Sequence, residues 1–194
     1  MESLSSVVVI KWLIGVWLIA WFVLHLRAYP AATFLWFCAY GNVVIAAGVL
    51  LESRFLVSWQ AVALLVPQAI YIGDALAQLL GHRHPGGTAY LFDAATPFAI
   101  RALSLFHFVM PLILAWSVGR LGYDRRALPM QLLTSAIVLP LSYSFGTMHI
   151  NEVGSSPGQL LLAFLVYAAI YVATHIVLVT VCRNRATRYP ASAA

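Results

Sequence analysis

The longest polar interruption in this very apolar chain is GHRHPGGTAYLFDAATPFAIRALSLFHF, residues 81–108. It leads directly into a hydrophobic segment that carries Arg101 and His107. Hydrophobic residues make up 62% of the 194 residues and charged residues only 9%, whereas a soluble domain needs roughly 25% charged residues to cover its surface. The composition therefore predicts an integral membrane protein, with this polar stretch at one membrane surface.

Working outward from this stretch, six segments hold about 20 apolar residues each, which is enough to cross the hydrocarbon core. The predicted spans lie near residues 7–26, 30–50, 55–80, 97–119, 127–146 and 157–182. The fold class is therefore predicted to be an all-α integral membrane protein. It is a six-transmembrane-helix bundle that forms a single domain over residues 1–186, followed by a short flexible tail, residues 187–194.

The distribution of basic residues predicts the orientation of the bundle. With six spans, the side that holds both termini carries eight basic residues: Lys11, Arg54, Arg120, Arg125, Arg126, Arg183, Arg185 and Arg188. The opposite side carries three, which are Arg27, Arg83 and Arg101. The positive-inside rule then places both termini in the cytoplasm and residues 81–96 outside. We expect the bacterial inner (plasma) membrane as the location.

Several classes of function find no support in the composition. The two cysteines, Cys38 and Cys182, lie far apart and form no C-x-x-C motif, so thiol–disulfide redox chemistry and a structural zinc finger are not expected. The net charge of +5 comes from arginines in short loops beside apolar segments, where membrane lipids are the natural partners and nucleic acid is not. No cofactor is clearly encoded, and the oligomeric state is open.

Proline marks both the starts of helices and their interiors. Thr96 and Ser156 each precede a proline and are predicted N-caps of the fourth and sixth spans. Pro67, Pro111 and Pro140 fall inside spans and are expected to kink them. Pro111 also leaves the carbonyl of His107, four residues earlier, without its usual donor, which favours a water-accessible cavity near that histidine.

A stripe of polar side chains follows one face of the predicted third span. The residues are Gln60, Pro67, Tyr71, Asp74 and Gln78, separated by steps of seven, four, three and four. A lipid-facing aspartate would cost several kcal/mol, so the stripe is predicted to face the bundle interior. Asp74 is then a candidate base, proton carrier or metal ligand, or an acid that only locks helices together.

Five of the six histidines fall in the outer half of the predicted bundle: His25, His82, His84, His107 and His149. Asp74, Asp93 and Glu152 lie on the same side. Histidine and carboxylate together perform acid–base chemistry or bind transition metals. We therefore predict a site opening to the outer face. Its candidate catalytic residues are Asp74, His107, Tyr71, Arg101 and His149, and any metal would use Asp74, His107 and His149.

Three classes of function remain open at this point. The first is a small membrane enzyme that acts by acid–base chemistry on a lipophilic small molecule such as a lipid, an isoprenoid or a quinone. The second is a transporter of a small solute, proton or metal ion, against which the chain shows no clear three-plus-three repeat. The third is a non-catalytic subunit or assembly factor of a membrane complex, whose polar residues only pack helices. No catalytic motif in the sequence decides among them.

Overall fold

The computed structural model describes residues 4–82, 87–145, 151 and 153–188, and every regular element within these ranges is helical. The α-helices are α1 (Leu4–Ala28), α2 (Phe37–Leu50), α3 (Arg54–Leu79), α4 (Phe98–Ser104), α5 (Phe106–Leu121), α6 (Ala127–Ser144) and α7 (Pro157–Arg188). Short 3-10 turns, Ala31–Leu35 and Ala89–Leu91, lie in the connections before α2 and before α4. The predicted all-helical architecture is confirmed.

Five helical segments in the described ranges are long and apolar enough to cross a membrane. They are Val7–Ala28, Arg54–Leu79, Phe98–Leu121, Ala127–Ser144 and Pro157–Arg183. The remaining apolar helix, α2, has only 14 residues, or about 21 Å of length, against a hydrocarbon core of about 30 Å. The structure therefore supports a membrane-embedded protein with five membrane-length segments and one shorter apolar helix.

Within the predicted second span, residues 30–50, the α-helix begins only at Phe37 and is preceded by the 3-10 turn Ala31–Leu35. Before Phe37, side-chain hydrogen bonds add to the backbone bonds of the 3-10 turn. The hydroxyl of Thr33 donates to the carbonyl of Pro30 at 2.6 Å and also bonds His25 Nε2 at 2.9 Å. The Phe37 N–H donates to Asn151 Oδ1 at 3.0 Å, so the first amide of α2 bonds a distant side chain.

The predicted fourth span is interrupted rather than continuous. Helix α4 ends at Ser104 and α5 begins at Phe106, with the Leu105 N–H turned to the carbonyl of Ala102 at 3.1 Å. The Ser104 hydroxyl donates to the carbonyl of Ile100 at 3.0 Å, and this type of back-bonding often bends helices. The interruption falls immediately before the turn that carries the predicted site histidine.

The two predicted N-caps have different outcomes. Ser156 caps α7 as expected, because its Oγ accepts from the Gln159 N–H at 3.3 Å while Gln159 Oε1 accepts from the Ser156 N–H at 3.1 Å. This reciprocal pair is a capping box with glutamine in place of glutamate. The prediction for Thr96 was wrong, because α4 begins one residue after Pro97 and has no side-chain cap.

Helices α2 and α3 approach each other closely at two glycines, Gly41 and Gly48. A Cβ atom on Gly41 would lie 2.6 Å from Leu64 Cδ1 and 2.9 Å from Gln60 Oε1. A Cβ atom on Gly48 would lie 2.9 Å from Val57 Cγ1 and 3.2 Å from its backbone nitrogen. Since small residues let helix backbones approach in a membrane, the glycines set the spacing of this pair.

The register of this antiparallel pair determines which residue of α3 lies level with the first residue of α2. Gly48 faces Val57 and Gly41 faces Leu64, so the first residue of α2, Phe37, comes level with about Gln68. Helix α3 continues for 11 more residues beyond Gln68, to Leu79, with no α2 beside them. A space is therefore left next to the second half of α3.

Charged side chains gather where α2 turns into α3. Lys11 Nζ lies 2.6 Å from Glu52 Oε1, and Arg120 lies 3.3 Å from Glu52 Oε2. Glu52 itself adopts a positive φ of 50° in the turn, and both cations lower the pKa of its carboxyl group. These contacts place the turn, the early part of α1 and the end of α5 at the same end of the bundle.

The connection between α5 and α6 is organised by Asp124. Its carboxylate accepts from the backbone N–H of Arg126 at 3.0 Å and from the guanidinium of Arg126 at 2.8 Å. Its own N–H donates to Ser58 Oγ of α3 at 2.9 Å. The Arg126 guanidinium holds the pKa of Asp124 at about 2, against 3.8 for an unperturbed aspartate.

Replacing Gly48 by alanine is expected to lower stability, because the new Cβ would press against the backbone of Val57. Overpacking of this kind costs about 1–3 kcal/mol, or roughly 2–12 °C in melting temperature for a chain of this size. Gly73→Ala is the matched control, since a Cβ there meets nothing within 4 Å. Thermal unfolding in detergent, followed by tryptophan fluorescence, measures both. Equal melting temperatures for the two variants would contradict the close contact.

Replacing Asp124 by asparagine keeps a cap acceptor but removes the charge, so wild-type protein is expected to be the more stable at neutral pH. The folded pKa of about 2 lies below the ordinary 3.8, so the stabilisation is complete above about pH 4 and is lost as the pH falls toward 2. Melting temperatures of both proteins between pH 7 and pH 2.5 measure the difference. A gap that stayed constant down to the lowest pH would rule out the ion pair as its cause.

Candidate functional site

A cavity of about 740 Å³ occupies the space left by the short α2. Its walls come from the residues at the start of α2, the second half of α3, His107 of α5, residues 151 and 154, and the first half of α7. The volume falls within the range of pockets that hold small organic ligands, which is about 300–1,000 Å³. Apolar and aromatic side chains make up most of the wall, with polar groups at a few positions.

The cavity opens on the side of the bundle between α3 and α7. Three of its lining residues, Ile70, Leu162 and Val166, are also exposed on the outer surface of the bundle, at 61%, 61% and 51%. They belong to two helices that are long and apolar enough to cross a membrane. Exposed apolar side chains of two membrane-length helices therefore flank the mouth of the cavity.

The predicted polar stripe of α3 does face the interior of the bundle. Gln60 and Gln78 are buried at 0% and 7% exposure, while Pro67, Tyr71 and Asp74 line the cavity. Helical spacing alone therefore identified the correct face of α3. Within the described part of the chain, neither Oε1 nor Nε2 of Gln60 forms a hydrogen bond.

Asp74 connects α3 to the chain segment that follows it. Its Oδ2 atom accepts from the Thr88 N–H at 2.7 Å and from the Thr88 hydroxyl at 2.6 Å. Gly87 has a positive φ of 52°, and a Cβ atom there would collide with the same carboxylate oxygen. The carboxylate thus holds the residues around Thr88, which is completely buried, against the end of the cavity.

His107 lies in a layer of rings on the cavity wall. Its Nδ1 is 2.7 Å from Gln68 Oε1, and its ring stacks on Tyr71 with the centroids 4.2 Å apart. The Tyr71 hydroxyl in turn bonds the hydroxyl of Tyr90 at 2.7 Å. With the Gln68 amide in this orientation its oxygen accepts from Nδ1–H of His107, and a neutral ring in that arrangement has its lone pair on Nε2. This is the tautomer of a base whose orientation is set by a neighbour.

The other predicted site residues have different positions. Arg101 does not belong to the described wall of the cavity, and its Nε atom is buried without a hydrogen bond within the described residues. His149 lies outside the described residues, as do His84, Arg83 and Glu152. The structure thus brings together Asp74, His107 and Tyr71 and does not add Arg101 to them.

The remaining described histidines lie apart from the cavity. His25 is 3% exposed and packs among aromatic rings, including a stacked contact with Trp21 at 4.7 Å. His82 is exposed, and His175 bonds the hydroxyl of Tyr123 at 2.6 Å. No group of three or more His, Cys, Asp or Glu side chains within the described ranges is placed to hold a metal ion.

Two polar arrangements were missed from the sequence. In the first, Trp59 Nε1 donates to Gln131 Oε1 at 2.8 Å, Gln131 bonds Ser135 at 3.3 Å, and Ser135 bonds the buried Tyr171 at 3.3 Å. Gln131 and Ser135 are four residues apart on an apolar helix, so the spacing rule applied to α3 would have found them. Because an indole N–H only donates, this chain of bonds suits helix packing better than proton relay.

The second arrangement centres on Asn151. Its Oδ1 accepts from the N–H of Phe37, and its Nδ2 donates to the carbonyl of Leu35 at 2.8 Å and to Ser142 Oγ at 3.1 Å. One side chain thereby joins the start of α2 to the end of α6 at the wall of the cavity. It uses both amide atoms and a positive φ of 56°, and no local pattern in the sequence signals contacts across 114 residues.

Comparison with models of known protein families, with curated proteins and with solved structures finds no match to this chain.

Replacing Thr88 by valine is expected to loosen the segment that Asp74 holds, because it removes the hydroxyl donor and keeps the shape. A hydrogen bond to a charged group is worth about 1.5–3 kcal/mol, so the opened population should rise by about tenfold or more. Cys38 lines the cavity and reports on it. In a Cys182→Ser background, a polar maleimide should label Cys38 about tenfold faster in the variant.

Thr96→Val is the control for this measurement, since Thr96 follows in the same connection and is not part of the described cavity wall. It should leave the labelling rate of Cys38 unchanged. Equal rates in the wild-type protein and both variants would show that the contact between Thr88 and Asp74 does not limit access to the cavity.

Proposed function

We propose that this protein is a small membrane enzyme that takes a lipophilic molecule into the cavity and acts on it by acid–base chemistry. One observation carries this proposal: a cavity open to the lipid-facing surface contains an imidazole whose tautomer is set by Gln68. An apolar pocket with a few placed polar groups is typical of sites for lipophilic ligands. A neutral histidine with an available lone pair is the commonest general base.

In this proposal each polar residue of the cavity has a separate role. His107 accepts a proton from the bound molecule, and Gln68 keeps its ring in the required tautomer. Tyr71 stacks on the ring and presents its hydroxyl to the cavity. Asp74, which the sequence suggested as the base, would serve mainly to hold the segment at Thr88, because two hydrogen bonds already reach its Oδ2.

The alternative functions have less support in the geometry. A transporter needs polar groups along its whole depth, and below the cavity the described polar residues Gln131, Ser135 and Tyr171 bond one another in a buried network. A purely structural subunit does not require a cavity of about 740 Å³. An enzyme for a lipid, an isoprenoid or a quinone uses both the cavity and its opening.

We further propose that the chain crosses the bacterial inner membrane six times with both termini in the cytoplasm. The support is that α2 returns antiparallel beside α3, and that the 3-10 turn before it extends its 21 Å by about 10 Å. The basic residues also cluster at one end, where Lys11 and Arg120 meet Glu52. The positive-inside rule assigns that end to the cytoplasm.

The function is tested by following lipids in liposomes that contain the purified protein and a bacterial lipid extract. We expect untargeted mass spectrometry to find at least one lipophilic species that is converted by wild-type protein. Conversion should fall at least a hundredfold in His107→Gln, because general-base catalysis contributes about 10²–10⁴-fold. His82→Gln is the matched control, since His82 is exposed and lies outside the described cavity wall.

Conversion that persists in the folded His107→Gln variant would remove this histidine from the mechanism. The absence of any species that changes with wild-type protein would reject the enzyme proposal.

A further inference from the structure

The hydrogen-bonding groups on the cavity wall restrict the head group that a ligand can carry. His107 lines the cavity and its Nδ1 is occupied by Gln68 at 2.7 Å, so the nitrogen that a neutral ring keeps for a ligand is the acceptor Nε2. An acceptor in an apolar cavity is satisfied by a ligand that donates a hydrogen bond. A hydrocarbon, an ester or a quaternary ammonium group has no such donor.

Tyr71 adds a second requirement beside the first. Its hydroxyl shares one hydrogen bond with Tyr90 at 2.7 Å, and its ring lies against His107 at 4.2 Å. If Tyr90 donates in that pair, Tyr71 keeps its own proton for the ligand; if Tyr71 donates, its oxygen keeps an acceptor position. A hydroxyl group has one proton, so it can donate to His107 and at the same time accept from Tyr71 when Tyr90 donates to Tyr71.

The charge on the wall argues against an anionic head group. Among the described residues that line the cavity there is no lysine or arginine, while Asp74 contributes a carboxylate. A fatty acid or a phosphate would bring a second negative charge into an apolar space whose described lining residues supply no cation, and an isolated buried charge is strongly unfavourable. An uncharged head group avoids this cost.

We propose that the ligand of this cavity is an uncharged lipophilic alcohol or phenol whose hydroxyl lies between His107 and Tyr71, with its hydrocarbon part directed to the mouth between α3 and α7. This inference rests on the proposed function and names the class of molecule that the site accepts. The same hydroxyl is the proton donor that His107 would accept from in an acid–base step.

The test compares four chain-matched competitors: hexadecanol, hexadecanoate, hexadecylamine and hexadecane. Each displaces a diazirine-bearing hexadecanol that is photo-cross-linked to the protein in nanodiscs, and cross-linked peptides are read by mass spectrometry. We expect hexadecanol to compete about tenfold better than hexadecane, since two ordinary hydrogen bonds supply about that factor, and also better than the two charged compounds, whose charge loses its hydration in an apolar cavity. The comparison uses wild-type protein and so does not depend on a variant folding.

Two pairs of variants locate the site. His107→Leu should abolish the preference for hexadecanol over hexadecane, whereas His82→Leu should keep it. Ala163→Phe should block cross-linking by filling the cavity that Ala163 lines, whereas Ala169→Phe, exposed on the same helix, should not.

A preference for hexadecanoate, or for the amine through Asp74, would overturn the inference and leave a ligand-binding cavity in place. Equal competition by all four compounds would show that the polar groups select nothing, which also overturns it. If the probe labels no cavity peptide in wild-type protein while lipid conversion is observed in liposomes, the inference fails and the enzyme stands. Failure of both measurements rejects both proposals.

Discussion

The close approach of α2 and α3 at Gly41 and Gly48 is the constraint on which the rest of the bundle depends. It fixes the register of the pair, and therefore the position along α3 beyond which the 14-residue α2 no longer lies beside it. With no helix beside the second half of α3, the neighbouring elements enclose a space instead of a packed core. The candidate site is thus a consequence of a short helix held tightly, rather than of a special motif.

Polar side chains within the bundle follow a second constraint, since lipid supplies no hydrogen-bonding partners. Asn151 uses both of its amide atoms to bind backbone that helical bonding leaves unpaired. Asp74 serves the chain around Thr88 in the same way. His107 differs, because only one of its ring nitrogens is used by Gln68 and the residue lines the cavity. That asymmetry distinguishes a candidate reactive group from groups that stabilise the fold.

Much of the architecture was predictable because lipid imposes long apolar helices, and the interior face of α3 followed from helical spacing at Tyr71 and Asp74. The start of α2 was not predictable, since its first amide bonds Asn151, which lies 114 residues away. The site was anticipated in part: Asp74, Tyr71 and His107 do line one cavity. Their hydrogen-bond partners, Gln68 and Thr88, could not be identified, because residue spacing along one helix does not show which side chains of other elements it contacts.

Helix α7 forms one side of the cavity mouth, yet only 11% of its membrane-length window is buried in protein, against 44% for α3. Widening the mouth on the α7 side would therefore break few contacts within the chain. If the cavity takes its ligand from lipid, as proposed, the rate of exchange would depend on the lateral pressure and fluidity of the bilayer around α7. A change in lipid composition would then change the rates of ligand entry and exit without any change in the residues of the site.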